Sequence, residues 1–552
     1  MSTRRRFIEG LGGSALLLGA GRVGALAEAP QRQVLRGSQF ELWVDELPVN
    51  YTGARRLATA INGQLPAPLL RWRQGDAVTI RVTNRLKVQS SIHWHGVILP
   101  ADMDGVPGLS FPGIGPGESF LYRFAVAQHG TYWYHAHSRF QEQVGLYGPI
   151  VIEPRDAERF PSDRDYVVLL SDWTDMDPEH IYATLKRQSD YFNRHERTIA
   201  DFYHDVRAVG LAHAAAEWNM WGRMRMDPTD LLDVSGAAYT YLMNGETPAG
   251  NWSGLFSAGE RVRLRFINAS SMSFFDVRIP GLAMTVIAAD GQEVEPVTVD
   301  EFRIGGAETV DVVVTPADQP YTIFAQAMDR TGYARGTLAP AAGMQAPVPA
   351  LDRRAELQMS DLGMQMQMSR PMPPEHEMPR ALQHIRDEHG PGVDMLVEQP
   401  SRGLNDPGVG LRDNGRRVLT YADLHTLGGP IDVREPQREL ELHLTGHMQR
   451  FMWSFDGEQF SKSEPLRFRH GERLRIVLIN DSMMTHPIHL HGMWSEVENE
   501  AGGFQLRKHT VSVQPAQRLS YRVSADALGR WAYHCHLLYH MEAGMFREVV
   551  VA

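Results

Sequence analysis

The chain holds a single cysteine, Cys535, in 552 residues, so no disulfide can form within it. In an oxidising compartment a lone thiol calls for some reason other than a structural staple. Long apolar runs are also missing after the first thirty residues, so no later stretch reaches the about 20 apolar residues that a membrane helix needs. Positive charge is in deficit: 55 Lys and Arg face 66 Asp and Glu, a formal charge of −11. That balance argues against nucleic acid and favours cationic partners. What is abundant is turn chemistry. Gly 50 and Pro 33 suit many short strands, and the length suits about three or four domains.

The N-terminus reads "MSTRRRFIEGLGGSALLLGAGRVGALAEA". A basic start, a short apolar stretch and a small-residue "ALA" form the three parts of an export leader. Arg4 and Arg5 before Phe7 and Ile8 resemble the twin-arginine signal, which a receptor reads. The alternative, a basic tail plus a membrane helix, meets a run too short and Gly-rich to span a bilayer. The expectation is cleavage after Ala27, the twin-arginine route and a periplasmic protein with no membrane anchor. Losing residues 1–27 removes four arginines and one glutamate, so the mature chain is more acidic still.

Three stretches align without a gap: "GDAVTIRVTN" (75–84), "GERVRLRFIN" (259–268) and "GERLRIVLIN" (471–480). Each alternates apolar and polar residues with period two, the mark of a half-buried strand. Each ends in Asn, and chance similarity between amphipathic strands does not explain Gly and Asn recurring at both ends. Nine and eleven residues beyond Asn84 stand His93 and His95; the same offsets from Asn480 give His489 and His491. From Asn268 they give Val277 and Ile279, so the middle copy has the scaffold without the histidines. A second block repeats too: "GTYWYHAH" (130–137) aligns with "GRWAYHCH" (529–536), Ala136 taking the place of Cys535.

Strand parity sorts these side chains. Residues two apart share a face, so His93/His95, His135/His137, His489/His491 and His534/His536 are same-face pairs. Eight imidazoles can converge on one cluster, while Cys535 faces the other way. His486 lies an odd three residues before His489 and can join the cysteine, with His540 and Met545 from the loop that follows. A His₂Cys set with a weak Met is the blue-copper electron-transfer arrangement. A lone HxH pair is more often a surface or core histidine, and a lone buried Cys a small hydrophobe. Four pairs, two of them at matched offsets in repeated domains, leave little room for that. Zinc fits eight imidazoles without a carboxylate poorly.

"HWHG", "HAH", "HPIHLHG" and "HCHLLYHMEAGM" together resemble the copper motifs of the multicopper oxidases, the superfamily of laccase and ascorbate oxidase. With the leader, "DPTDLLDVSGAAYTYLMNG" and a Met-rich stretch, the sequence looks most like the periplasmic copper-resistance oxidases of the CopA type. That resemblance covers the whole mature chain. It implies an all-β fold of three cupredoxin-like Greek-key sandwiches: 28–158, 159–341 with a helical insert at about 177–228, and 413–552. A Met/Pro-rich linker, 342–412, precedes the third, and residues 1–27 are the leader. The resemblance also implies four copper ions. His486, Cys535, His540 and Met545 match the type 1 ligands, and His93 and His489 the type 2 ligands. His95, His135 and His536 match one type 3 copper; His137, His491 and His534 match the other. The family takes electrons singly at type 1, passes them through the Cys–His link and reduces dioxygen to water.

Water formation consumes protons, and Asp104 in "ADMDGVPG" matches a carboxylate of related copper-efflux oxidases; a plain Asp-Gly turn is the other reading. Some relatives carry an acid directly after the second type 1 histidine; here Met541 stands there and Glu542 comes one later, which puts a proton role for Glu542 in doubt. For the substrate, "MSDLGMQMQMSRPMPPEHEM" offers Met359, Met364, Met366, Met368, Met372 and Met378 with His376 as candidate Cu(I)-docking residues. Thioethers select Cu(I); an oxidant sink or a plain linker are the other readings. Met220, Met224 and Met226 form a second cluster, read equally as helix packing. The expected function is oxidation of Cu(I) to Cu(II) coupled to dioxygen reduction, for copper resistance, alongside other periplasmic copper-handling proteins. A laccase-like phenol oxidase and a periplasmic copper-sequestering protein are the alternatives.

Overall fold

The three repeated strands occupy equivalent places. In the computed structural model, which describes residues 33–364, 390 and 392–552, Ala77–Asn84 runs parallel to Gln39–Val49 and antiparallel to Ser119–Ala125. Val262–Asn268 sits likewise between Arg164–Thr174 and Thr309–Val314, and Arg473–Asp481 between Arg438–His447 and Arg518–Ser524. Each repeat adds a second sheet, giving six sheets among the described residues and an all-β protein. In the first repeat Leu42, Val78, Ile80 and Val82 of one sheet share a core with Trp72, Trp94, Tyr134 and Ile150 of the other. Fully burying each such aliphatic is worth about 1.5–3 kcal/mol. The expected leader, residues 1–27, and Met366, Met368, Met372, His376 and Met378 lie outside the described residues.

Period two gives half-burial in the first strand, Ala77–Asn84, but the middle one is buried on both faces. Its polar face meets the first repeat: Arg263 and Arg265 both reach Asp311, and Arg265 Nη1 donates to Thr131 Oγ1 at 2.9 Å. Charge bought its burial there with a paired carboxylate.

The Asn that closes each repeat is fully buried and does the same thing three times. Asn84 Nδ2 donates to the carbonyls of Val88 and Ile114 while Oδ1 accepts from Leu86 N–H. Asn268 bonds Ser273, Ile304 and Ser270 in the same way, and Asn480 bonds Met484, Val513 and Ser482. The side chain thus fixes the turn that delivers the next strand, which carries the histidines in the first and third repeats. Asn268→Ala strands three buried backbone groups and should cost about 3–5 kcal/mol in denaturant unfolding. Asn480→Ala should cost as much and also lower the metal content of the purified protein.

The insert starts as its sequence requires: Asp177 accepts from Glu179 N–H with Pro178 at the first helical position. Helices Pro178–Leu185, Ile199–Val209 and Leu211–Met224 follow, and no helix of the described residues is long and apolar enough to cross a membrane. Tyr182 OH donates to the Glu542 carbonyl and Lys186 Nζ to that of Phe451, docking the insert on the third repeat. Met220 and Met224 are part-buried against the core.

Around the Met-rich stretch one expectation changes. Met359 is not a free soft donor. It is buried in a 3₁₀ turn, Met359–Leu362, in one core with Leu357, Leu362, Met395 and Val397. A thioether packed among aliphatics gains more from burial than from solvent.

Candidate metal centre

Strand register places the cysteine. In the pairing of His486–Leu490 with Gly529–Cys535, Cys535 lies opposite Ile488 and His534 opposite His489. His486 shares the Ile488 face, so His486 and Cys535 look one way while His489 and His534 look the other. Cys535 Sγ is 3.5 Å from His486 Nδ1 and 3.9 Å from His540 Nδ1, and the two nitrogens are 3.2 Å apart. His540 comes from the short helix Leu538–Ala543. Met545, fully buried, donates its N–H to the His540 carbonyl and accepts from Cys535 N–H, which pins it beside the pair. The far nitrogens are held too: His486 Nε2 is 2.7 Å from Ser482 Oγ and His540 Nε2 2.6 Å from Asp233 Oδ2. Trp453 stacks on the His540 ring at 3.9 Å.

The opposite face gathers the eight imidazoles. His93 pairs directly across from His135 on adjacent strands. Donor atoms cluster within 4.8 Å in three all-imidazole sets, His93, His95 and His489; His95, His135 and His536; His137, His491 and His534, and in a fourth that joins Asp104 to His93 and His491. Between them Nε2 atoms meet head-on, at 3.1 Å for His491 and His534 and 3.4 Å for His135 and His536. His93 Nε2, His489 Nε2 and His95 Nδ1 are buried without a hydrogen-bond partner. Buried polar atoms rarely stay unpaired.

The reverse sides of these rings are anchored, which fixes which nitrogen faces inward. His491 Nδ1 is 2.8 Å from Asp104 Oδ2, and His93 Nδ1 donates to the Asp104 carbonyl with Oδ1 3.2 Å away. Gly105 is obligatory for this approach, because a Cβ on it would stand 1.9 Å from the Ile92 carbonyl. Asp104 thus stands in an Asp-Gly turn while its carboxylate contacts two imidazoles. His135 Nδ1 is 2.6 Å from Glu142 Oε2, and His489 Nδ1 donates to the His509 carbonyl at 2.5 Å. Glu142, Asp233 and His509 were not singled out in the sequence. Only Asp233 carried a signal there, inside the "DPTDLLDVSG" stretch.

Electrostatics favour a cation in both places. Burial, then repulsion between neighbouring imidazoles, holds His95, His135, His489, His491 and His536 well below the ordinary histidine range; His534 falls to about 4. These imidazoles are therefore neutral at pH 7. Burial pushes the Cys535 thiol up, so only a bound cation makes it a thiolate. Orphaned imidazole nitrogens, head-on Nε2 pairs and one soft sulfur fit copper and leave no role for a hard cation. A cavity of about 590 Å³ opens onto His137 and is also lined by Met541 and Glu542, whose carboxylate pairs with Arg139.

Fold and donor sets together define a copper-dependent oxidoreductase built from cupredoxin-like domains. Residues 44–157, 164–342 and 434–552 each match a multicopper oxidase domain, and the chain belongs to that family. It is 56% identical over 583 residues to a copper resistance protein A homolog of Pseudomonas syringae pv. tomato, covering 100% of this chain and 99% of the relative. It is 53% identical over 599 residues to copper resistance protein A of Escherichia coli, with the same coverage. Among solved structures the multicopper oxidase Fet3p superposes with a TM-score of 0.66 at 19% identity, over 94% of this chain and 90% of that one. The laccase of Botrytis aclada superposes with a TM-score of 0.64 at 21% identity, over 94% and 88%.

Proposed function

We propose that the protein is a periplasmic cuprous oxidase, exported by the twin-arginine route, that oxidises Cu(I) to Cu(II) at the expense of dioxygen and so confers copper resistance. His486, Cys535, His540 and Met545 would hold type 1 copper, and His93 and His489 type 2. His95, His135 and His536, and His137, His491 and His534, would hold the type 3 pair. Bound copper would supply the one-electron couple at the cysteine and the four-electron reduction of dioxygen at the imidazoles. The chain's own part is positional. Cys535 is joined by one peptide unit to His534 and by another to His536, the shortest covalent path between the two faces. Asp233 and Ser482 orient the outer histidines, and Asp104 orients His93 and His491 and is the residue proposed for proton supply.

The reading of Cu(I) as substrate rests on a cleft of about 420 Å³ whose wall residue Asp230 connects through Asp233 to His540. Asp190, Glu196, Asp227 and Asp230 line it with the thioether residues Met226 and Met448, alongside Arg187 and Arg225. Asp230 Oδ1 accepts from Asp233 N–H at 3.1 Å, and Asp233 reaches His540. Burial raises both carboxyls well above their usual range, and mutual repulsion adds to this at Asp230. A soft monovalent cation relieves that repulsion and meets the thioethers of Met226 and Met448, which are core residues like Met359 but, unlike it, border a cleft; a phenol does neither. The soft donors of 366–378 stand in the chain beside this function as a collecting segment. The names of the close relatives agree with resistance.

Oxygen uptake with Cu(I) and with a phenolic dye tests the reading on the copper-loaded full chain, on Met226→Leu with Met448→Leu, and on a deletion of 365–378 that spares the buried Met359. Each change should lower kcat/KM for Cu(I) about tenfold, ~1.4 kcal/mol, and leave the dye unaffected. Equal losses on both substrates, or none, would overturn it. Copper binding without oxygen uptake would favour storage instead.

A further inference from the structure

The middle repeat contributes no histidine to the cluster, yet one of its carboxylates reaches behind two of the histidines. Asp290 follows the strand Met284–Ala289 and is fully buried. Its Oδ1 accepts from Thr309 N–H at 3.0 Å within its own repeat. Its Oδ2 crosses to the third repeat and accepts from His509 N–H and Thr510 N–H, both at 3.1 Å, with Lys508 Nζ also at 3.1 Å. The clamped residues are those that hold ligands. The His509 carbonyl accepts from His489 Nδ1, and Thr510 Oγ1 lies 3.0 Å from His95 Nε2. Thr510 is also the strand partner of His489. The consequence is that His489 Nε2 and His95 Nδ1, both without a hydrogen-bond partner, are turned into the cluster.

We infer that Asp290 is a positioning residue through which the ligand-free domain sets the aim of His489 and His95. This rests on the copper assignment above. A charged oxygen accepting two consecutive backbone N–H groups holds that segment more firmly than a neutral one. Without it, residues 509 and 510 lose their anchor, and both ligand rings lose the acceptor that orients them. Outer-shell partners of this kind are worth about 10–100-fold in metal affinity. Lys508 supplies the control, because it has a second carboxylate partner: Glu308 Oε1 is 3.1 Å from Nζ and touches neither ligand-bearing residue.

The experiment compares copper-loaded native chain with Asp290→Ala, Asp290→Asn and Glu308→Gln. It reads the blue absorption of the cysteine site, the type 2 copper EPR signal and type 2 copper retained against a chelator. Failure of the native chain to show both signals would dismiss the copper assignment itself. Given both signals, Asp290→Ala should lose the type 2 signal and retain that copper about 10–100-fold less tightly, with the blue band intact. Asp290→Asn, which keeps an uncharged oxygen, should fall between, and Glu308→Gln should match the native chain. The inference is overturned if Glu308→Gln loses as much type 2 copper as Asp290→Asn, if Asp290→Ala keeps it all, or if the blue band falls in parallel. Should Asp290→Ala fail to fold, the comparison of Asp290→Asn with Glu308→Gln decides alone.

Discussion

Cys535→Ser yields a colourless protein that consumes no oxygen with Cu(I) or any other reductant, yet retains the copper of the imidazole cluster. The sulfur is the one soft anionic donor in the cysteine site, 3.5 Å and 3.9 Å from the two imidazole nitrogens. A serine hydroxyl is hard and stays protonated, so intense thiolate-to-copper absorption has no source. The register limits the damage to one face. Cys535 lies opposite Ile488, while its neighbour His534 lies opposite His489 on the other side of the same two strands. The substitution nearly conserves volume but buries a hydroxyl at a fully buried position, so folding should weaken by about 1–3 kcal/mol. Copper analysis, EPR and oxygen uptake on one preparation check the three statements. Loss of all copper would mean that the two faces are not independent. A residual blue band would mean that another donor takes the place of sulfur.

The division into two faces was legible in the sequence because it depends on parity alone, and parity is a local property of a strand. The same holds for the triplicated scaffold, whose closing Asn could be seen without its purpose being visible. A turn residue and a buried three-bond anchor look alike until Ile114, Ile304 and Val513 are known to lie within reach. What escaped were the partners that hold the imidazole rings from other parts of the chain. Asp233 meets His540 from more than three hundred residues away, through the docking of a helical insert. Asp290 acts through backbone N–H groups, which leave no trace in residue type. Glu142 was hidden for a different reason, since a single acid in "SRFQEQ" is ordinary on a surface and unusual only when buried against His135. Met359 went astray in the opposite direction: a methionine among methionines reads as part of a soft cluster, whereas its neighbours in space are Leu357, Leu362 and Val397.

Asp104→Asn should slow the reduction of dioxygen by about a hundredfold while leaving copper bound and its reduction by substrate unchanged. The carboxylate engages two ligands at once, His491 through Oδ2 and His93 through Oδ1 and its own carbonyl. Both imidazoles present Nδ1–H outward so that Nε2 faces inward. An amide has one accepting oxygen, so its NH₂ must oppose one of those N–H groups, and it cannot give up a carboxyl proton. Loss of a positioned acid or base costs about 10²–10⁴-fold. Asp104→Ala removes the anchor altogether and should in addition weaken cluster copper about 10–100-fold. The cysteine site shares no atom with Asp104, so anaerobic reduction of the blue centre by Cu(I) should proceed at the native rate in both variants. Stopped-flow measurement of the two half-reactions separates them: bleaching without oxygen, then recovery when oxygen is added. Slowing confined to recovery places Asp104 at the oxygen end of the molecule. Equal slowing of both halves would mean that the substitution disturbs the strand pairing that joins the two faces, and the proton-supply role would fall with it.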